Sequence, residues 1–331
     1  MEASSRSGQS NRFPPFELNG LKTYDLKSRP SKVFQEDLGQ PVGPDAKVSE
    51  WIDSLPRQLA GMDLRRVRDH VCRAVQDQRL IAAGIGGHVI KTGCAPYLID
   101  WIERGVLSCI AMNGSAAIHD YELAVGGKTS EDVAVQLPAG KFGMVRETAD
   151  AFALASRVGS ENELGLGWAL GKHLAETDCP YKDKSILLAA YRAGIPCTIH
   201  VSIGCDIVHM HPHVSGAALG EASMIDFRRL CSVVAALEHG MWFNIGSAVV
   251  LPEVFVKAVS VVRNFGYSLD GLTTVNIDKN ANYRSRVNVL DRPSSNGIEL
   301  IGHHEIVIPL LHAAVNCKLA SGKREKSAKA A

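Results

Sequence analysis

LIAAGIGGHVIKTGCAPYLIDWIERGVLSCIAMNG, residues 80–114, holds two short apolar runs with a Gly-rich turn and an amphipathic segment between them. Residues 80–93 read as a buried strand breaking into a turn, and CAPYLIDWIERG reads as a helix stopped by Gly105. VLSCIAMNG then gives a second strand ended by Asn-Gly. Strand, turn, helix, strand is a βαβ unit, in which the two strands run parallel.

The rhythm continues downstream. SILLAAYRAG, MIDFRRLCSVVAALEHG and EVFVKAVSVVRNFG carry helical spacing, and IPCTIHVSIG, MWFNIGSAVV and LDGLTTVNID read as strands. Upstream, residues 48–77 place apolar side chains at helical spacing with charges opposite. Continuous apolar strands alternating with helices predict an α/β fold, a mostly parallel sheet covered by helices on both faces. Residues 161–180 read as a Gly-containing connection. One domain is expected over 21–316, with a flexible N-terminal segment at 1–20 and a flexible basic tail, CKLASGKREKSAKAA, at 317–331.

The totals agree with an ordinary globular enzyme. The 331 residues are 46% hydrophobic and 21% charged, with a formal charge of +1, which gives no global attraction to nucleic acid. No stretch reaches the length of a membrane span, and the N-terminus has no apolar signal core, so a cytoplasmic location is expected. Eight cysteines, at 72, 94, 109, 179, 197, 205, 231 and 317, form no CxxC pair and fit a reducing compartment.

In parallel sheets, ligands bind where the carboxyl ends of the strands give way to loops. Small or polar residues gather there: Gly84, Gly86 and Gly87, then Asn113, Gly114 and Ser115, then Gly204, Gly246, Ser247 and Asn276. GIGGH is not the full GxGxxG pattern, and a tight turn needing positive φ explains it as well as a nucleotide site does. In IHDYEL, His119 and Asp120 follow the second strand. There a carboxylate can hold a cationic amine and an imidazole can move a proton; a helix-start acid beside an incidental histidine is the plainer reading. SIGCDIVHMHPHVSG packs Asp206, His209, His211 and His213 together, as a metal site, an amine-binding wall or a structural loop. No Cys or Glu ligand motif accompanies it, and no metal is assigned. His303, His304 and Glu305 precede the last apolar helix.

Three segments, AAGIGGHVIKTGCAPYLIDWIERGVLSCIAMNGSAAIHDYELA, AGIPCTIHVSIGCDIVHM and HGMWFNIGSAVVLPEVFVKAV, with YDL near the start, resemble the deoxyhypusine synthase family over roughly residues 20–315. The resemblance implies a Rossmann-like sheet, NAD as cofactor, and oxidation of a polyamine such as spermidine with aminobutyl transfer through an imine on lysine. It also implies a homotetramer. By position, the NAD segments are similar to Asn113-Gly114-Ser115, Gly246-Ser247 and Asn276-Ile277-Asp278, and the acidic amine ligands to Asp120 and Asp206. One departure stands out: the family's Trp-Gly-Lys-Ile stretch is replaced by KNANYRSRVNVLDRPSS, without tryptophan and without lysine after Lys279. An arginine there stays protonated and forms no imine.

Three readings follow. The chain is an NAD-dependent enzyme acting on a small amine by oxidation with transfer or elimination, a lyase resembling ornithine-cyclodeaminase domains, or a cofactor-binding homologue without turnover. In the first, Asp120 and Asp206 anchor the amine while His119, His209 and His211 move protons.

Overall fold

A computed structural model describes residues 13–330, with side chains described through residue 322. Most of the expected flexible N-terminal segment, and the end of the basic tail, therefore lie outside the described side chains. The strands are β1 (Ile81–Ile85), β2 (Cys109–Asn113), β3 (Cys197–His200), β4 (Met241–Ile245), β5 (Thr273–Asp278) and β6 (Asn296–Ile301). They form one six-stranded sheet in the order β3-β2-β1-β4-β5-β6. Every neighbouring pair is parallel. The predicted α/β architecture is correct.

Alternation along the strands divides the core between the two faces. Ile81, Ala83 and Ile85 of β1 join Met241, Phe243 and Ile245 of β4 on one side. Ala82 and Trp242 turn to the other, beneath helices Gly216–Ala235 and Val250–Asn264. There Trp242 stacks on Phe255 with ring centroids 4.3 Å apart. Gly84 makes room for this indole: an added Cβ would lie 2.7 Å from Trp242 Cζ2. Its role is packing under the sheet, not contact with a cofactor.

Three expectations change. Residues 161–180 contain a helix, Leu166–Glu176, rather than an irregular connection. Glycines hid it: a side chain at Gly167 would strike the Cys197 carbonyl, so glycine lets this helix lie against β3. The strand β6 was not expected either, because its burial alternates instead of running continuously apolar. The last helix, His304–Ala330, runs through the start of the expected flexible tail, and Lys318 pairs with Asp69 at 2.6 Å. No helix among the described residues is long and apolar enough to cross a membrane.

Candidate functional site

The strand order reverses between β1 and β4, which places a crevice above their carboxyl ends. Its floor is made of glycine turns. The Gly86 amide donates to the Ile245 carbonyl at 2.9 Å, and the Gly246 amide to the Ile277 carbonyl at 3.0 Å. A side chain at Gly86 would collide with the Gly246 carbonyl, so these two turns meet backbone to backbone. Gly246 also has φ +63°, a conformation that favours glycine. Beside it, His304 is buried and its Nε2 lies 3.2 Å from the Ile277 carbonyl, to which it donates, while Nδ1 lies 2.7 Å from Nδ1 of the exposed His88.

A cavity of about 210 Å³ opens beyond β1, β2 and β3, lined among others by Lys91, Ser115, His119, Glu122, Glu131 and Asp206. His119 and Glu122 lie on helix Gly114–Gly126, which Asn113 starts by accepting a hydrogen bond from the Ala116 amide at 2.8 Å. Three positions apart on a helix, they share a face. The Thr129 hydroxyl donates to Glu122 Oε2 and lies 2.6 Å from His119 Nδ1. Because that hydroxyl spends its proton on the carboxylate, its oxygen accepts from His119 Nδ1–H, and the tautomer this fixes leaves Nε2 with a lone pair. Burial would raise the Glu122 carboxyl, but the nearby His119 imidazole and hydrogen bonds from Thr129 and Thr148 outweigh it and hold the group below its ordinary range. Glu122 is therefore an anion, 3.7 Å from the imidazole.

Asp206 closes the cavity over the first turn of the same helix, where a side chain at Gly114 would collide with its carboxylate. Burial raises its carboxyl, opposed by the Ser202 amide, which donates at 3.0 Å. Glu131 accepts from the Gly143 amide at 3.0 Å. Three carboxyl groups and one lysine give this cavity a cation-attracting wall.

The other expected site residues fall elsewhere. Asp120 is fully buried on the opposite face of the helix, where its oxygens accept from the Ser185 hydroxyl and the Ile186 and Leu187 amides at 2.5–3.1 Å. It caps helix Ile186–Ala193, and nothing remains to hold an amine. His211 Nε2 lies 2.9 Å from the Gly143 carbonyl, His213 pairs with Asp150 at 2.9 Å, and His209 Nδ1 accepts from the Gly204 amide at 3.2 Å. These histidines serve separate partners and do not line the cavity. No group of three or more His, Cys, Asp or Glu among the described residues is placed to hold a metal ion. Asn276 is fully buried and locked to Asn244 at 2.8 Å; Asp278 accepts from the Lys279 amide and the Asn282 side chain. Both lie in the framework beneath the crevice.

For a dinucleotide the fit is therefore selective. Gly84, Asn276 and Asp278 are used by the protein. The turns at Gly86-Gly87, Asn113-Gly114-Ser115 and Gly246-Ser247 present backbone at one edge, and Asn113, Ser115 and Gly246 stay half-buried rather than sealed. Because the Gly86 and Gly246 amides are already given to Ile245 and Ile277, the turn that would hold it is Asn113-Gly114-Ser115, at the start of helix Gly114–Gly126.

No protein-family model matches this sequence, and no curated protein matches it. Solved structures do. A protein of Methanococcus maripaludis S2 assigned as a conserved LOR/SDH protein superposes with a TM-score of 0.51 at 17% identity, covering 87% of this chain and 75% of that one. The ternary complex of AgrE with ornithine and NAD+ gives 0.52 at 15% identity over 80% of this chain. This chain spans only 34% of that longer protein. A protein of Entamoeba histolytica assigned as a deoxyhypusine synthase gives 0.47 at 11% identity, covering 84% and 96%. At these identities the first two likenesses establish the Rossmann-like fold and no more.

Proposed function

We propose that this chain is an NAD-dependent enzyme acting on a small amine at the carboxyl edge of the sheet. The observation that carries this reading is the cavity in which His119, oriented through Thr129 by an ionised Glu122, faces an acidic wall beside the glycine turns. An amine must lose a proton before its C–N carbon can be oxidised. His119 Nε2 is placed to take that proton, and Glu122 stabilises the imidazolium that results. Glu131 and Asp206 hold a second, distal ammonium. NAD, when bound, supplies the hydride acceptor. Loss of hydride from carbon and proton from nitrogen leaves an iminium, open to transfer or elimination.

The fold shared with the ornithine and NAD+ complex of AgrE supports a second reading, a lyase in which the hydride is returned and ammonia leaves. Aminobutyl transfer, implied with a polyamine and a homotetramer by the sequence resemblance, would instead require an imine on lysine. Lys91 lines the cavity and is the lysine that borohydride should capture in that case; Lys128 lies in an adjoining cavity, and Lys279 is exposed beyond β5.

The deciding experiment incubates purified protein with NAD and, separately, spermidine, putrescine and ornithine, following NADH absorbance and identifying products by mass spectrometry. Oxidation with transfer gives an aldehyde, cyclic imine or aminobutyl adduct. The lyase gives ammonia and a cyclised acid without net NADH. Binding of NAD with no conversion of any amine would leave a cofactor-binding homologue, and absence of NAD binding by calorimetry would sink the proposal.

A further inference from the structure

Behind the acidic cavity lies a larger one, of about 410 Å³, that the chemistry above does not use. Tyr121, Val125 and Val145 line it together with Thr129 and Thr148, and Lys128 and Glu147 stand among its polar groups. The two cavities share Glu122, Ser130 and Glu131. Glu122 is the divider: from one side it meets His119, and on the other it accepts from the Thr148 hydroxyl at 3.2 Å. Ser130, in the same wall, has φ +69°, a left-handed conformation that a non-glycine residue adopts at a cost. The wall is thus a short strap held by side-chain hydrogen bonds, not by a strand or helix.

We propose that the larger cavity is the subsite for the hydrocarbon part of an amine whose charged end lies in the smaller one, so that the ligand class is an amine with an apolar extension. The inference rests on the reading of the acidic cavity as an amine site. An ammonium against Glu122 and Glu131 has its chain beside the strap, and the apolar surface beyond that strap is the nearest place where methylenes can leave water. Each CH₂ buried there should tighten binding about fourfold. Apart from the shared Glu122 and Glu131, which stand in the dividing wall, Lys128 and Glu147 add no net charge to the larger cavity.

The test is calorimetric binding of n-propylamine and n-hexylamine to the wild-type chain and to Val125→Trp and Val145→Trp, with melting curves to confirm folding. Both substitutions fill the larger cavity while leaving His119 and Glu122 themselves unchanged. Wild type should bind hexylamine at least tenfold more tightly than propylamine, and either folded variant should lose that difference while keeping propylamine affinity. Equal affinities in wild type, or a preference that survives in both folded variants, would overturn the subsite while leaving the amine site standing. Failure of both amines to bind would overturn the amine site and the subsite with it.

Discussion

Asp120 and Glu122 stand two positions apart on one helix and do opposite work. Asp120 has no exposed surface and gives its oxygens to a hydroxyl and two amides of a neighbouring helix. Glu122 keeps 14% of its side chain exposed, lines two cavities and reaches a histidine. Helix rotation separates them: positions two apart lie about 200° apart around the axis, whereas positions three apart lie about 60° apart and share a face. A carboxylate beside a histidine in sequence is thus less informative than one a turn away.

The comparison breaks most sharply at His119. His119→Ala should lower turnover of a productive amine by about 10²–10⁴-fold, with melting temperature little changed, and Glu122→Gln should move activity in the same direction. Steady-state kinetics beside melting curves check this; a His119→Ala protein as active as wild type would dismiss the relay. Asp120→Ala should do the reverse. Removing the cap and leaving buried amides unpaired should cost about 3 kcal/mol of stability, while the folded fraction binds propylamine as wild type does. A loss of amine affinity in the folded protein would return Asp120 to the site.

A smaller effect concerns pH. Burial pushes the Asp120 carboxyl up to about 6 and, at the start of helix Leu166–Glu176, that of Asp226 up to about 7. The folded protein then keeps protons that the unfolded chain, with carboxyls near 3.9, releases between about pH 4 and 7, so these two groups make stability fall as pH rises through that window. Asp226 accepts from the Gly167 and Ile199 amides through Oδ2, and Asn can reproduce both bonds. Urea unfolding of Asp226→Asn at pH 4.5, 6 and 8 should therefore show a flatter pH dependence than wild type. Identical slopes would show that Asp226 does not titrate there.

Much of the scaffold was readable because parallel strands buried on both faces are written as continuous apolar runs, and β1 to β5 are of that kind. β6 alternates, and Gly165, Gly167 and Gly171 disguised a helix whose glycines serve close packing. The site was readable only in part. His119, Asp206 and Ser115 do line the cavity, but Thr129 and Glu131 come from a loop whose path no periodicity encodes. Glu122 could have been found: placing His119 within a helix instead of just beyond a strand selects it over Asp120. The histidines at 209, 211 and 213 stand close in sequence, but around the 3-10 turn Ile207–Met210 they reach different partners.

The glycine turns have a mechanical consequence. The amides of Gly86, Gly246 and Gly302 each reach across to a carbonyl at or near the end of an adjacent strand, Ile245, Ile277 and Asp278, at 2.9–3.0 Å. They tie the carboxyl ends of β1, β4, β5 and β6 together, backbone to backbone. On the other rim, the segment carrying Thr129, Ser130 and Glu131 hangs on side-chain bonds. One rim is thus tied by backbone and the other by side chains.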